Sequence, residues 1–437
     1  MVRVDLLIKN AAQIATPVTR VPHALPGNNN FMVIENGSVA IRDGVIAAIG
    51  ETPEVISSLN GEMPRAVIDA SNKVILPGFV DCHTHPVFFH TRENEFTMRL
   101  MGKSYRQIAE TGGGIRSSVR SIRSASKEQI IEAVLPRLDR FVEHGTTTIE
   151  AKSGYGLSTD DEIKSLECIQ ELDTIHPLDL IPTFLGAHEI PDEYRTQRNA
   201  YIDLIINDMI PRVAERALAE FCDIYIEQHV FTIDEGRKIL TAAKSAGLHL
   251  KVHANQLSAN GGAALAAEVG AISAEHLDYI SPEEIEQLAR GNVVPVLLPG
   301  AVFYLNSNHY APAREMLEAK LPVAISTDFN PGSCMTESMP IIMTISCIKM
   351  RLLPAEAITA ATLNAARAVN RQNTIGSLEI GKQADLVIWD MPAFEHIVYH
   401  FGVNLADTVI KKGKIIWQKQ RNPVLKLYRK KLKESLQ

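Results

Sequence analysis

The sequence predicts an α/β protein: a (β/α)8, TIM-like barrel carrying a small composite β-sandwich built from both chain ends. Three observations carry this. Apolar strand-like runs alternate with capped helical stretches over about 300 residues. Polar residues gather at the C-terminal end of one run after another, where barrels of this kind keep their active sites. Strand-and-turn patterns of one type occupy both chain ends, so the rest is inserted between them. A doubly wound open sheet is the alternative, and the position of the polar residues favours the barrel. The expected division is 1–75 for the first part of the β-sandwich, 76–375 for the barrel, and 376–437 for the second part with a C-terminal helix.

A chain of 437 residues has room for both units, and 46% hydrophobic with 22% charged residues is ordinary for a globular protein. A net charge of −7 gives no support for a nucleic-acid partner. No run of about 20 apolar residues and no signal-peptide core is present, so no membrane partner is expected. The five cysteines are scattered without a C-x-x-C pair. They read as reduced thiols of a cytoplasmic protein. The basic tail Lys426–Lys433 reads as a solvated helix.

The first 70 residues read as a meander. Phe31–Ile34, Val39–Ile41 and Val45–Ile49 are strands, with Asn36-Gly37 and Asp43-Gly44 as two hairpin turns. Thr16–Asn30, with three prolines, reads as a loop. Barrel strands are expected to end at His85, near Tyr155, at His188, near Glu227, at His253, at His276, near Leu298 and at Asp328. Capping boxes at Ser126, Thr159, Thr232 and Ser281 open four of the intervening helices, the last closing near Gly291. Near the C-terminus Ala384–Trp389 and Thr408–Trp417 return to the strand pattern.

The first barrel strand ends Phe-Val-Asp-Cys-His83-Thr-His85. Strand side chains alternate, so His83 and His85 share a face while Cys82 and Thr84 point away. His253 and Asp328 end two further strands, and with the pair they form a three-histidine, one-carboxylate set suited to Zn²⁺ or iron. A divalent ion there lowers the pKa of a water to about 7 and supplies hydroxide at neutral pH. Asp328 read alone also fits a helix N-cap before Asn330-Pro-Gly-Ser. His276 can act as general base or orient the water, or be a capping or buried histidine. The fourth strand, Cys222–Glu227, carries no lysine to bridge two metals, which favours one ion per subunit, although Glu227 offers a bridging carboxylate.

Pro-Gly-Phe-Val-Asp-x-His-Thr-His, the fifth- and sixth-strand histidines and Ser326-Thr-Asp328 together resemble the amidohydrolase superfamily. Within it, Arg92-Glu-Asn-Glu95, Thr111-Gly-Gly-Gly-Ile115, Lys152-Ser-Gly-Tyr-Gly156, Leu185-Gly-Ala-His188, His253-Ala-Asn-Gln256 and Thr327-Asp-Phe-Asn-Pro-Gly-Ser333 are similar to the imidazolonepropionase family. The resemblance runs nearly the whole length. It implies hydrolysis of the cyclic amide of 4-imidazolone-5-propanoate to N-formimidoyl-L-glutamate in histidine degradation. It further implies one divalent or ferric ion per subunit, zinc or iron, and proton handling by His276 and Asp328. Substrate contacts are implied at Arg92, Tyr155, His188, Gln256, Asn330, Gly332 and Ser333. Arg92 suits the propionate, His188 the ring carbonyl, and Gln256 and Asn330 the ring nitrogens. The family is often dimeric, so a homodimer is the assembly suggested by analogy.

Several residues keep a second reading. Arg92 also fits an ion pair with Glu93 or Glu95, Tyr155 a packing role, and Lys152 a pairing with Glu150 or with the substrate carboxylate. Gly112–Gly114 reads as a flexible loop or a backbone nest for that carboxylate. Another cyclic amidase or a nucleobase deaminase is the alternative function. Gln256 speaks against the deaminase, because an amide cannot shuttle a proton as glutamate does. A non-catalytic scaffold would be expected to have lost metal ligands, and all four are present.

Overall fold

Charged residues punctuate otherwise apolar strands along this chain, and the fold buries them at one end of a barrel. The computed structural model describes residues 4–19, 30–103, 107–108 and 112–420. The expected C-terminal helix, most of the Thr16–Asn30 loop, and Thr111 lie outside them.

Eight parallel strands form the barrel: β6 (Phe79–Thr84), β7 (Thr146–Lys152), β8 (Asp179–Ala187), β9 (Phe221–Ile224), β10 (His249–Ala254), β11 (Ser273–His276), β12 (Val294–Leu297) and β13 (Ala324–Ile325). They pair in chain order, and a parallel bridge from Thr84 to Phe329 joins the last to the first. The same seam is held by Asp81, whose Oδ1 accepts from the Thr327 amide at 3.0 Å and whose Oδ2 accepts from the Thr327 hydroxyl at 2.6 Å. Burial pushes the Asp81 carboxyl up to about 6, against the pull of its Ser326 and Thr327 hydrogen bonds. At the opposite end of the barrel from the site, Ala365, Ala366 and Val369 pack onto Val80, Phe221, Val294 and Val296.

The second sheet takes strands from both termini, in the order β16 (Lys414–Gln418), β15 (Ala406–Lys411), β14 (Leu386–Trp389), β5 (Val74–Pro77), β1 (Leu6–Pro17), β2 (Phe31–Arg42) and β3 (Val45–Glu51). β4 (Ala66–Asp69) pairs with the first half of β1 and β5 with the second half, so the sheet forks. Both branches share one apolar core that includes Ile8, Ile41, Ile75, Ile388 and Ile410. Trp389 fastens this sheet to the barrel. It is fully buried, packs tilted 5.5 Å from Phe79, and leaves no room for a side chain at Gly145, where a Cβ would sit 2.8 Å from the indole.

Two local expectations are corrected. Asn36-Gly37 is not a hairpin: β2 runs through it, with Asn36 at φ +47° and Gly37 so close to Ile14 that a Cβ would lie 2.5 Å from its Cδ1. The dipeptide serves a close strand approach, whereas Asp43-Gly44, with φ +50° and +77°, makes the expected hairpin turn. The helix expected to be capped by Thr159 is capped by Ser158, whose side chain accepts from the Asp161 amide. Glu162 instead turns inward and accepts from the amides of Gly154, Gly156 and Leu157, fixing the loop that carries Tyr155. The boxes at Ser126, Thr232 and Ser281 form as expected.

Candidate metal centre and active site

Strict alternation would send Cys82 away from the histidines. In the structure β6 gains one residue against β7, because Asp81 pairs with Ile149 but Thr84 with Ala151. This bulge lets Cys82 pack with Val80 and Phe221 while His83 and His85 still converge, their rings 5.3 Å apart. The Thr84 hydroxyl donates to the Glu150 carbonyl at 2.6 Å and fixes the segment between the two rings.

His253, from β10, brings its ring to 4.4 Å from that of His83 and 5.5 Å from that of His85. Nε2 of His83 and of His85 stand 3.7 and 3.6 Å from Asp328 Oδ1, too long for hydrogen bonds and suited to a shared ion. All four side chains are buried. Neither ring nitrogen of His83 has a hydrogen-bond partner among the described residues. Such orphans are costly unless something occupies them. Burial first, then the charge of Lys152 and the neighbouring rings, holds His83 well below the usual histidine range, and burial with His188 does the same to His85. Neutral imidazoles are the form that ligates. The residues therefore fit a metal ion.

A second group, His83, Asp223, His253 and Glu275, also places its ligating atoms within 4.8 Å of one another. Its carboxylates already have cations: Lys152 Nζ lies 2.8 Å from Asp223, and Lys251 Nζ 3.2 Å from Glu275. Asp223 and Glu275, with Lys152 and Lys251, form the floor beneath the histidines. Asp223 Oδ2 also stands 2.9 Å from His253 Nδ1, which leaves Nε2 of that ring for the metal. Burial alone would raise the Asp223 carboxyl, but His253 and Lys152 together hold it well below the usual range. Lys152, opposed by burial but held by Asp223 and then Glu150, lies above the usual lysine range. Lys152 thus pairs with Glu150 and Asp223 rather than with a substrate. Sequence reasoning missed Asp81, Asp223, Glu275 and Lys251. Their signal was a charged residue inside an otherwise apolar strand.

His276 sits 5.4 Å from the His253 ring and 5.7 Å from that of His83. Its φ of +72° and the +52° of Asp328 break the strand geometry where both face the cluster. Such strain in non-glycine residues concentrates at functional sites. Burial raises the Asp328 carboxyl to about 7 in the metal-free protein, against His253 and the Asn330 hydrogen bond. An ionised Asp328 is therefore disfavoured by folding, so its contribution to stability is full below 3.8 and lost as pH rises through about 7. Chelated Asp328→Asn protein should gain about 2–3 kcal/mol over chelated wild type between pH 5 and pH 8. Urea midpoints of both proteins at the two pH values check this, and a constant difference would refute it.

His188 stacks on His85 at 5.3 Å and 21°, and Tyr155 is buried 5.4 Å from His188. Tyr225, not singled out from sequence, completes the wall 5.8 Å from His253. His188 Nδ1 lies 2.9 Å from the Gly154 carbonyl, so it carries the proton, and burial holds the ring down to about 3. Nε2 of the neutral ring is then an acceptor, which suits a substrate N–H and not the ring carbonyl expected from sequence. Asn330 is also committed elsewhere. Its amide nitrogen donates to the Asp328 carbonyl and Ser333 Oγ, and its oxygen accepts from the Gly332 and Ser333 amides. It shapes the loop instead of presenting free groups to a ring. Gln256 is half-buried just after β10. Glu227 does not reach the cluster; it accepts from the Gln228 and Leu257 amides and from Ser258. Arg92 lies against Gly332, where a Cβ would meet its Nη1 at 2.6 Å, and it pairs with Glu95.

A parallel barrel with buried histidines and an aspartate at its C-terminal mouth, flanked by a sheet from both termini, is the architecture of the amidohydrolases. The Amidohydrolase family matches residues 203–416. The chain belongs to the imidazolonepropionase family within this class. It is 46% identical over 414 residues to the imidazolonepropionase of Geobacillus sp. (strain WCH70), covering 94% of this chain and 97% of the relative. It is 45% identical over 419 residues to that of Alkaliphilus metalliredigens (strain QYMF), covering 96% and 99%. Among solved structures, E. coli guanine deaminase superposes with a TM-score of 0.73 at 15% identity, over 95% of this chain and 99% of that one. An adenosine deaminase from Xanthomonas campestris with bound zinc gives 0.68 at 18%, over 98% and 97%. At those identities the likeness concerns the fold alone.

Proposed function

We propose that this protein hydrolyses the cyclic amide of 4-imidazolone-5-propanoate, adding water across one ring C–N bond to release N-formimidoyl-L-glutamate. The observation that carries this is the buried His83, His85, His253 and Asp328 cluster in a chain similar over nearly its full length to imidazolonepropionases. These four residues would hold one ion, zinc or iron, which when bound activates water for attack on the carbonyl. Asp328 accepts the water's proton, and His276 holds the oxygen in line and relays that same proton from Asp328 toward the departing ring nitrogen. His188 Nε2 accepts a ring N–H, Tyr155 contributes its hydroxyl, and Gln256 offers the remaining amide contact. Gly332 and Ser333, held by Asn330, line the path to Arg92, which takes the propionate.

No helix among the described residues is long and apolar enough to cross a membrane, and the five cysteines are unpaired. A cytoplasmic enzyme, working as a homodimer on a small molecule, is the setting we propose. Freshly generated imidazolone propionate should lose its ultraviolet absorbance on addition of protein reconstituted with zinc or iron. Decay no faster than the spontaneous rate with either metal would overturn the reading, and turnover of purines or pyrimidines would point to the deaminases.

A further inference from the structure

We infer that Glu95 is a positioning residue: it grips one edge of the Arg92 guanidinium so that the other edge stands ready for the substrate's carboxylate. This rests on the reading of Arg92 as the propionate contact. The two side chains are nearly closed off from solvent, at 8% and 13% exposure, which removes them from the ordinary class of surface ion pairs. Glu95 Oε2 alone takes both Arg92 Nε, at 3.0 Å, and Nη2, at 2.7 Å. Oε1 is used elsewhere, accepting from the Gly114 amide at 2.9 Å. One carboxylate thus ties the arginine to the glycine loop, and Gly113 lets them approach, since a Cβ there would sit 3.0 Å from Oε1.

The far side of the guanidinium borders the bare backbone of Gly332 and has no hydrogen-bond partner among the described residues. Nη1 makes no hydrogen bond to a described residue and faces Gly332, where any side chain would collide with it at 2.6 Å. Arg99, about two turns along the helix Glu93–Leu100 that Arg92 precedes, donates to the Gly332 carbonyl at 2.7 Å and fixes that backbone. Ser333, next in the chain, stands 3.5 Å from Asp328 Oδ2, so the open edge borders the candidate metal centre. An arginine held on its Nε side still offers the Nη1–Nη2 fork to a second carboxylate, and a fork already fixed loses little entropy on binding. The Glu95 side chain itself ends as a propionate, so the opposite role, an internal competitor for the fork, makes the opposite prediction.

The test uses metal-loaded full-length protein and two stable probes, 3-(imidazol-4-yl)propanoate and the neutral 4-ethylimidazole, titrated calorimetrically. Glu95→Gln should weaken the propanoate about tenfold and leave the neutral probe within about twofold, because only the charged end uses the positioned fork. Gly332→Ala, pressing on the guanidinium from the other side, should give the same charge-selective loss. Unchanged or tighter propanoate binding by Glu95→Gln overturns the positioning role, and tighter binding identifies a competitor. Equal losses for both probes reduce Glu95 to a structural residue. Arg92→Ala is the separate control: if it leaves propanoate affinity intact, the assignment of Arg92 itself fails, whatever Glu95 does.

Discussion

Replacing Lys152 by methionine is expected to destabilise the protein by about 3–5 kcal/mol and to weaken metal binding about 10–100-fold. The ammonium is fully buried, 2.7 Å from Glu150 Oε1 and 2.8 Å from Asp223 Oδ2. Methionine fills much of the same space, so packing changes little. What changes is that two buried carboxylates lose their cation, and an uncompensated interior charge costs far more than the pair contributed. Asp223 would then recruit a proton through His253, and an imidazolium repels the ion it should bind. Glu150 also accepts from the Thr84 amide at 3.2 Å, so its displacement loosens the segment between His83 and His85.

The control is Lys411→Met. Lys411 is also buried and doubly paired, 2.6 Å from the partly exposed Asp179 and 2.7 Å from the buried Asp385, but it joins the terminal sheet to the barrel away from the histidines. It should lower the urea midpoint without altering metal affinity in a chelator competition. If Lys411→Met loses metal to the same degree, the effect of Lys152 is general destabilisation and the role assigned to the floor of the site is wrong.

The barrel was legible because its strands are apolar runs with polar ends, and a strand's C-terminal residue is a local property. That is why His83, His85, His253 and Asp328 could be gathered from positions 245 residues apart in the chain. The floor was not legible. Nothing local says that Asp223 meets Lys152 and not Arg216, because pairing of buried charges is decided by which strands become neighbours. The bulge at Cys82-His83 escaped for a similar reason: register belongs to two strands, and β7 supplies half of the information. Asn36-Gly37 carried a real preference for positive φ, but a strand interior with a close neighbour can use that preference as well as a turn can. The left-handed backbone at His276 and Asp328 had too weak a sequence signal to read, since Asp and His adopt it more often than most residues but far less readily than glycine. Asn330 had the right chemistry for a ligand, and the loop claimed all of it.

Arg92→Ala should raise KM for the propionate substrate about 100-fold, which corresponds to about 3 kcal/mol, and leave metal content unchanged. Part of the loss is the charge-assisted fork itself. The rest comes from Glu95, which is left half-buried with only the Gly114 amide and now faces the incoming carboxylate with like charge. Removing that second charge should therefore recover part of the affinity: the Arg92→Ala, Glu95→Ala double variant is expected to bind better than Arg92→Ala alone. Arg92→Lys should not restore wild-type KM, because one ammonium cannot satisfy Glu95 and the substrate along two fixed edges. Increasing salt should penalise wild type more than Arg92→Ala, since only wild type has the attraction to screen. Steady-state kinetics of these variants with metal analysis decide the matter. Arg92→Ala at wild-type KM would move the carboxylate elsewhere, and a parallel loss of metal would make Arg92 a support of the histidine cluster and not a contact to substrate.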